Sequence, residues 1–333
     1  MGLGTYLGGD DEATDRAYEQ AVARALALGL NVLDSAVNYR GQRSERAIGT
    51  ALRRLAATGG VARPEVLLAT KGGFLPGDGG GAGRGHPAQA YLRAGLVTPD
   101  DIVAGCHCMT PRYLADQLER SRANLGVETI DVYYLHNPEM QLQEVDRLTF
   151  LGRIRAAFEL LETAVAAGKI RCYGAATWTG FRGEPSAEDY LSLAELAEAA
   201  TAVGGKDHHF RVIQLPYNLG MTEAFTSRNQ RAGREQVSLL EAARRMDVYV
   251  MTSASIYQGR LARDLPPVIA EFLPGLDTDA QRALQFVRST PGVGTALVGM
   301  ARVAHVEENA RVRAAAPLPW PEFQRLFQGE ESA

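Results

Sequence analysis

The chain has 333 residues, of which 46% are hydrophobic and 22% charged, and its formal net charge is −4. This composition supplies enough apolar side chains for a globular core. The slightly acidic balance gives no electrostatic support for binding nucleic acid or an anionic membrane, so we predict neither kind of partner.

Short apolar runs alternate with longer segments of helical periodicity along the chain. The predicted strands cover residues 2–6, 30–33, 66–70, 130–135, 170–175, 211–213, 248–251 and 295–298. After the first strand, the spacing of apolar residues predicts one buried helix face, formed by Tyr18, Ala21, Val22, Ala25 and Leu26.

Strands that alternate with helices predict parallel βα units, and eight such units in series can close into a barrel. The rival fold is an open, doubly wound sheet, but no G-x-G-x-x-G fingerprint follows an early strand. We therefore predict an α/β protein with a (β/α)8 TIM barrel, in a single domain over residues 1–333.

One long segment, residues 74–109, interrupts this alternation after the third strand. It contains a glycine-rich run from Gly77 to Gly85, and we expect regular helix to return only at Thr110. The backbone freedom of glycine predicts a mobile loop. A loop at this position lies at the catalytic end of a barrel, where it is either a lid or substrate wall, or a tolerated insertion.

Four polar side chains follow consecutive predicted strands. Asp34 and Tyr39 follow the second strand, Lys71 the third and His136 the fourth. The carboxyl ends of barrel strands face the active site, so these side chains should converge there. Each has a structural alternative as a turn residue, a packing aromatic, a solvated charge or a core histidine. Their combination favours catalysis.

Such a set is typical of a site that protonates an alkoxide formed by hydride attack. A tyrosine has a pKa of about 10, and a neighbouring ammonium should lower that pKa towards neutrality. A carboxylate keeps the lysine charged, and a neutral histidine can orient a carbonyl and share the developing oxyanion. The hydride must come from outside the chain, which implies a nicotinamide cofactor.

The same side chains lie in segments that resemble the aldo-keto reductase family. The resembling segments are residues 34–39, 44–52, 69–71, 118–126 and 131–139. The resemblance extends over nearly the whole chain and implies NAD(P)H-dependent reduction of an aldehyde or ketone, or the reverse oxidation. It also implies a catalytic tetrad, with the tyrosine as general acid: Asp34, Tyr39, Lys71 and His136.

On the cofactor side the sequence departs from the family pattern. Thr177 stands at the end of a run that is usually Gly-Val-Ser-Asn, and Ala176 has no side chain that can form hydrogen bonds. Thr252-Ser253-Ala254 stands where an aromatic residue usually stacks on the nicotinamide. The cofactor contacts implied by the resemblance are Thr177, Gln214, Thr252, Ser253, Ala254, Gly259, Leu261, Gly299, Arg302, His305, Glu308 and Asn309.

The cofactor expected from the resemblance is NADPH, with NADH possible. Some family members bind the 2′-phosphate through a lysine, a serine and an arginine, whereas this chain has Gly299, Met300 and His305 at those positions. Arg302 is then the predicted phosphate partner, because a guanidinium suits phosphate recognition. Glu308 and Asn309 match adenine contacts, or they belong to an acidic helix start.

The substrate pocket is predicted from position alone, with Tyr6, Asn137 and Trp178 at its edge. Specificity should depend on variable loops and on the tail, at residues 74–109, 137–153, 219–234 and beyond Pro317. The aromatic tail either closes over the pocket or packs on the barrel as an amphipathic helix. Arginines between Arg147 and Arg155 fit an interface or a solvated face, which leaves the oligomeric state open.

The sequence shows no export signal and no convincing metal site. Its apolar runs are shorter than the roughly 18 residues of a membrane span, and the start lacks a signal-peptide pattern. With three cysteines and no disulfide framework, we expect a cytoplasmic protein. Cys106-His107-Cys108 offers three ligands where structural zinc takes four, so we predict no metal. Family members usually begin with a hairpin, so a start at Gly2 indicates a truncated chain or a misassigned start.

Two other functions remain open at this point. One is a cofactor-binding regulatory subunit that resembles the β subunits of potassium channels. The other is a lyase or isomerase that reuses the tetrad without redox chemistry, which the changes at Ala176 and Thr177 leave possible.

Overall fold

A computed structural model describes residues 1–77 and 87–327. In this part of the chain, eight parallel strands form a closed barrel, and the predicted TIM barrel is confirmed. Its strands are β1 (Gly2–Gly4), β2 (Val32–Asp34), β3 (Leu67–Gly72), β4 (Ile130–His136), β5 (Ile170–Ala176), β6 (Phe210–Pro216), β9 (Tyr249–Ser253) and β10 (Thr295–Gly299). Around the barrel they follow the order β1-β10-β9-β6-β5-β4-β3-β2, and β7 (Gln230–Ala232) and β8 (Glu235–Val237) form a separate small sheet.

Helices follow the strands and surround the barrel. Those in the described ranges are α1 (Glu12–Ala27), α2 (Arg43–Ala57), α3 (Pro87–Arg93), α4 (Pro111–Leu125), α5 (Arg147–Ala166), α6 (Leu193–Gly204), α7 (Glu223–Thr226), α8 (Leu239–Arg245), α9 (Pro267–Phe272), α10 (Asp279–Ser289), α11 (Val303–Ala310) and α12 (Trp320–Arg325). The predicted apolar face of α1 is buried in full. Asp11 caps this helix by accepting a hydrogen bond from the Thr14 amide at 2.8 Å.

The barrel interior is filled by side chains. One buried cluster inside it comprises Ala69, Val132, Tyr134, Ala176, Val212, Met251 and Leu297. A larger core lies between strands and helices, where rings such as Phe158, Tyr173 and Phe210 pack together. Because the interior is packed, the space for a ligand lies at the carboxyl ends of the strands.

The segment after β3 differs from the expectation. Regular helix returns at α3 (Pro87–Arg93), well before Thr110, so that prediction was wrong. Ala88 and Tyr91 are buried, and this apolar contact stabilises a short helix that the glycine-rich surroundings obscured. The predicted mobile run lies, apart from Gly77, outside the described residues.

Two further features were not resolved by sequence reasoning. An antiparallel hairpin begins within the predicted loop 219–234 and joins β7 (Gln230–Ala232) to β8 (Glu235–Val237). The tail packs on the barrel helices: the Phe323 ring in α12 is buried, 5.7 Å from the Phe286 ring and 5.6 Å from that of Phe225. In the ranges described, no helix combines the length and apolar character needed to cross a membrane.

Candidate active site

Asp34 and Lys71 form a buried ion pair at the ends of adjacent strands. The Lys71 ammonium donates to Asp34 Oδ2 at 2.7 Å and to the Ser35 carbonyl at 2.6 Å. The two side chains are 1% and 7% exposed, so both charges are almost fully removed from water. An ion pair this deep is retained only with good geometry and further hydrogen bonds.

Gln214 supplies one of those further hydrogen bonds from the opposite side of the barrel. Its Nε2 donates to Asp34 Oδ1 at 2.7 Å, reaching from β6 to β2. Both carboxylate oxygens of Asp34 therefore have a donor. Gln214 was predicted as a cofactor contact, and its amide nitrogen is here engaged by the protein.

Tyr39 and His136 lie beside this ion pair. Lys71 Nζ is 4.9 Å from the centroid of the Tyr39 ring, and the Tyr39 and His136 centroids are 5.7 Å apart. His136 is the last residue of β4, next to β3 in the barrel. The structure thus brings all four predicted catalytic residues together.

The acidity of Tyr39 differs from the expectation. Burial is the largest influence and raises the pKa of Tyr39 above its ordinary value, while the charge of Lys71 acts in the opposite direction. The expected net lowering is therefore wrong for the protein alone, because desolvation of the phenolate outweighs the attraction of the ammonium. Tyr39 is protonated at neutral pH.

Of the two basic groups of the cluster, one is charged and the other is neutral. Burial lowers the pKa of Lys71, but Asp34 and Tyr39 together raise it more, so the ammonium stays charged. For His136, burial and then the charge of Lys71 hold the pKa well below its usual value, so the imidazole is neutral. Its Nδ1 is buried and has no hydrogen-bond partner within the described residues.

Arg40 fixes the loop that precedes α1 and was missed in the sequence. Its buried guanidinium donates to the Gly9 carbonyl at 2.8 Å and to Asp15 Oδ1 at 2.7 Å. The same loop presents Tyr6, whose ring centroid is 5.0 Å from that of Tyr39. A buried arginine directly after a catalytic residue could have been suspected from its position, but its partners lie 25 or more residues away.

The predicted cofactor contacts lie in or after β5, β6, β9 and β10, which are neighbours in the barrel. Thr177 and Asn309 are buried, and within the described ranges Thr177 Oγ1 and Asn309 Oδ1 have no hydrogen-bond partner. Unsatisfied buried polar atoms are costly, so both fit contacts to a bound polar group. The residues present are thus compatible with a nicotinamide cofactor.

The other predicted cofactor contacts differ in burial and in whether their polar atoms already have hydrogen-bond partners. Thr252 Oγ1 is buried and shares hydrogen bonds with Ser255 and the Thr295 carbonyl, both at 3.4 Å. Ser253 and Leu261 are half-buried. Near α11, the exposed residues are Gly299, Arg302 and His305, while Glu308 is half-buried and accepts a hydrogen bond from Gln281 through its carbonyl.

The loop after β9 has an unusual backbone. Ala254, Tyr257 and Gln258 have positive φ angles of 53°, 47° and 53°, and Gly259 follows at 90°. Left-handed conformations at non-glycine residues cost of order 1–3 kcal/mol each and often occur at ligand sites. This is the loop where the resemblance expects contacts near the pyrophosphate.

The predicted pocket residues lie around the mouth of the barrel, which is the opening at the carboxyl ends of its strands, and they differ in exposure. Tyr6 and Trp178 are 55% and 40% exposed, which suits a surface that a ligand can cover. Asn137 has a positive φ of 46°, and its amide donates to the Ala176 carbonyl at 2.6 Å. Asn137 therefore connects the ends of β4 and β5.

Glu139 was not assigned a role from the sequence. Its Oε1 accepts hydrogen bonds from the Trp178 amide at 2.6 Å and the Thr179 amide at 3.2 Å. Burial raises the pKa of Glu139 to about 7. A carboxylate three residues beyond the predicted histidine was visible in the sequence, but its backbone partners were not.

The Cys106-His107-Cys108 run does not gather metal ligands. Both His107 nitrogens contact protein groups: Nε2 lies 2.7 Å from the His136 carbonyl, and Nδ1 lies 2.8 Å from Gln141 Nε2. Throughout residues 1–77 and 87–327, no three His, Cys, Asp or Glu side chains come together as a metal site.

Known proteins resemble this chain in sequence. The sequence profile of the Aldo/keto reductase family matches residues 1–262. A protein of Schizosaccharomyces pombe named for the β subunit of voltage-gated potassium channels is 23% identical over 323 residues, which cover 93% of this chain and 83% of that protein.

Solved structures show the same fold. An aldo/keto reductase from Klebsiella pneumoniae, in complex with NADP and acetate, aligns with a TM-score of 0.64 at 23% identity, over 98% of this chain and 89% of that one. An aldo-keto reductase from Bacillus halodurans, in its holo form, aligns with a TM-score of 0.65 at 20% identity, over 98% and 91%.

Proposed function

Because the chain belongs to the aldo/keto reductase family, we propose that it is an NADPH-dependent oxidoreductase that reduces an aldehyde or ketone to an alcohol. The observation that carries the proposal is the buried Lys71–Asp34 pair beside Tyr39 and His136. Membership of this family places the chain among oxidoreductases. The residue roles, the direction and the cofactor form are what we propose for it.

Each member of the cluster has a distinct task. The neutral imidazole of His136 orients the substrate carbonyl and shares the negative charge that develops on its oxygen. The Tyr39 hydroxyl donates its proton to that oxygen, and Lys71 stabilises the phenolate that remains. Asp34, held by Gln214, keeps the ammonium charged and in place.

The protonation state of Tyr39 is the one from which reduction starts. Burial raises the pKa of Tyr39, so the free protein holds the proton that reduction requires. Burial also makes the hydroxyl a weaker acid, so transfer of its proton depends on Lys71 to stabilise the phenolate that remains.

Bound NADPH would supply the hydride that the chain lacks. Thr177 and Asn309 would hold it through their unpartnered buried atoms, and contacts at the surface would come from the half-buried Ser253 and Gly259 and the exposed Arg302. Arg302 makes no ion pair within the described residues and would contact the 2′-phosphate. NADH would bind more weakly, because it lacks that phosphate.

The first test is a fluorescence titration of the purified protein with NADPH and, in parallel, with NADH. Tight NADPH binding and weaker NADH binding are expected, followed by turnover in an aldehyde and ketone screen. Tight binding without any turnover would instead favour a regulatory subunit. Failure to bind either nucleotide would contradict the proposal and favour non-redox chemistry.

Tyr39→Phe tests the proton donor. It should lower kcat by about 10²- to 10⁴-fold, the range expected for loss of a general acid, and leave the Kd for NADPH nearly unchanged. Steady-state kinetics and the same titration measure both quantities. Near-normal turnover would show that Tyr39 is not the acid.

A further inference from the structure

The end of the long segment after β3 is paired with the residues that directly follow β3. The Leu75 amide donates to the Cys106 carbonyl, and the Cys108 amide to the Gly73 carbonyl, both at 2.8 Å. Residues 106–108 therefore run as a short antiparallel partner along residues 73–75, with Phe74 opposite His107. This pairing lies directly beside the catalytic strand ends.

The His107 side chain crosses from that pairing to the end of β4. Its Nε2 lies 2.7 Å from the backbone carbonyl of His136, and both residues are buried. The Phe74 ring lies between the two histidines, with centroid distances of 5.2 Å to His107 and 4.8 Å to His136. Both contacts are edge-to-face, which is a favourable arrangement of aromatic rings.

A second hydrogen bond defines which nitrogen of His107 carries the proton. Gln141 Nε2 donates to His107 Nδ1 at 2.8 Å, and Arg153 in turn donates to Gln141 Oε1, which fixes the orientation of the amide. Because Nδ1 accepts, the neutral ring carries its proton on Nε2 and donates to the His136 carbonyl.

Gly73 makes this contact possible. A Cβ atom at position 73 would lie 2.7 Å from His107 Nε2 and 2.9 Å from the His136 carbonyl oxygen. The φ angle of Gly73 is +146°, which side-chain-bearing residues rarely adopt. A side chain at position 73 would therefore collide with the hydrogen bond between the His107 imidazole and the His136 carbonyl.

We propose that His107 is a positioning residue for the proposed active site. Its hydrogen bond to the His136 carbonyl, aligned by Gln141 and Arg153, holds the His136 and Phe74 rings in fixed positions relative to Tyr39. The inference rests on the proposed function for its kinetic consequence. It assigns the Cys106-His107-Cys108 run to orientation of the site.

The physical reason lies in how little else holds the His136 ring. Its Nδ1 has no partner within the described residues, and ring contacts with Tyr39 and Phe74 define its side-chain position. Loss of the His107 donor would remove one of the hydrogen bonds that hold the backbone at the end of β4, and would leave the one between the Asn137 amide and the Ala176 carbonyl. Small displacements of an orienting group reduce the rate of the chemical step more than they reduce cofactor binding.

The test compares His107→Leu with His107→Gln. The leucine variant lacks both ring nitrogens, whereas the glutamine Nε2 can still donate to the His136 carbonyl. We expect His107→Leu to lower kcat about 10- to 100-fold with an unchanged Kd for NADPH, and His107→Gln to recover most of that loss. Gln141→Leu, which leaves His107 in place, should lower kcat by a few fold.

A matched variant separates positioning from general destabilisation. Leu196→Ala opens a cavity in the buried face of α6 and leaves the contacts of His107 intact, so it should lower Tm without changing kcat. An equal kcat for His107→Leu and Leu196→Ala would overturn the proposal. So would a glutamine variant as slow as the leucine variant, or a loss confined to the Kd for NADPH.

A spectroscopic measurement is independent of turnover. ¹⁵N-histidine NMR of the full chain should show a neutral ring with a slowly exchanging Nε2 proton, which disappears in His107→Leu while the His136 ring signals shift. These signals in a protein without turnover would support the positioning contact and reject the proposed function. Unchanged His136 signals in His107→Leu would reject the contact, whatever the activity.

Discussion

The two halves of the barrel mouth are organised in different ways. On the side of β2, β3 and β4, the proposed catalytic ion pair is satisfied within the protein: Lys71 donates to Asp34, and Asp34 also accepts from Gln214. On the side of β5, β6, β9 and β10, Thr177 and Asn309 bury polar atoms without partners in the described ranges. In the first half the ion pair is satisfied by the protein alone, and His136 Nδ1 is left without a partner in the described ranges. The second half is suited to a ligand.

This difference separates what the fold provides from what a cofactor would add. The catalytic half is preorganised, because its charges are fixed by hydrogen bonds before any substrate binds. Gln214 connects the halves, since it stands on a cofactor-side strand and donates to a catalytic carboxylate. Changes in the first half should therefore affect chemistry and stability together, and changes in the second should affect binding.

Lys71→Met should have the largest effect. Removal of the ammonium leaves a buried Asp34 carboxylate without its cation, which costs about 3–5 kcal/mol of unfolding free energy. It also removes the charge that opposes the raised pKa of Tyr39, so kcat should fall by about 10²- to 10⁴-fold. Denaturant unfolding and steady-state kinetics measure the two losses.

The double variant Asp34→Asn with Lys71→Met is the control that separates these losses. With neither charge present, most of the stability should return, because a neutral pair avoids the cost of an isolated buried charge. Activity should stay absent. Recovery of turnover in the double variant would contradict the role of Lys71 in catalysis.

The parallel barrel and the convergence of the proposed catalytic side chains were predictable because they rest on local patterns. Apolar runs repeat between helical segments, and Asp34, Lys71 and His136 each end such a run. A parallel barrel places all strand ends on one face, so spacing along the sequence is enough to bring these residues together.

The rest depends on distance and burial, which spacing does not encode. The pKa of Tyr39 follows from the depth of the ring, so a neighbouring lysine alone suggested the wrong direction. His107 and Gln141 are 34 residues apart, and their contact exists only after the segment following β3 folds back. The early helix α3 likewise depends on the tertiary burial of Ala88 and Tyr91.

Glu139 lies on the boundary between the halves and gives a prediction for stability. Its pKa is raised by burial to about 7, so the folded state binds a proton that the unfolded state releases at lower pH. The stabilisation is complete below the unfolded pKa of 4.5 and is lost as pH rises through about 7. The loss at high pH corresponds to about 3 kcal/mol.

Glu139→Gln should remove this dependence. The unfolding free energy of the variant, relative to the parent protein, should rise by about 2–3 kcal/mol between about pH 5 and about pH 8, measured by urea denaturation at each pH. Glu128→Gln, at an exposed position, is the matched control and should give a constant difference. A constant difference for Glu139→Gln as well would show that the buried carboxyl does not titrate in this window.

Arg302→Ala should have the smallest effect and concerns the cofactor half alone. Arg302 is exposed at the start of α11, so its removal should leave Tm within experimental error. Loss of one charge-assisted contact to the 2′-phosphate should weaken NADPH about tenfold and leave NADH unchanged. Arg112→Ala, another exposed arginine at the start of α4, should change neither Kd. Equal losses for both nucleotides would remove the phosphate role from Arg302 and leave the preference for NADPH to a different part of the mouth.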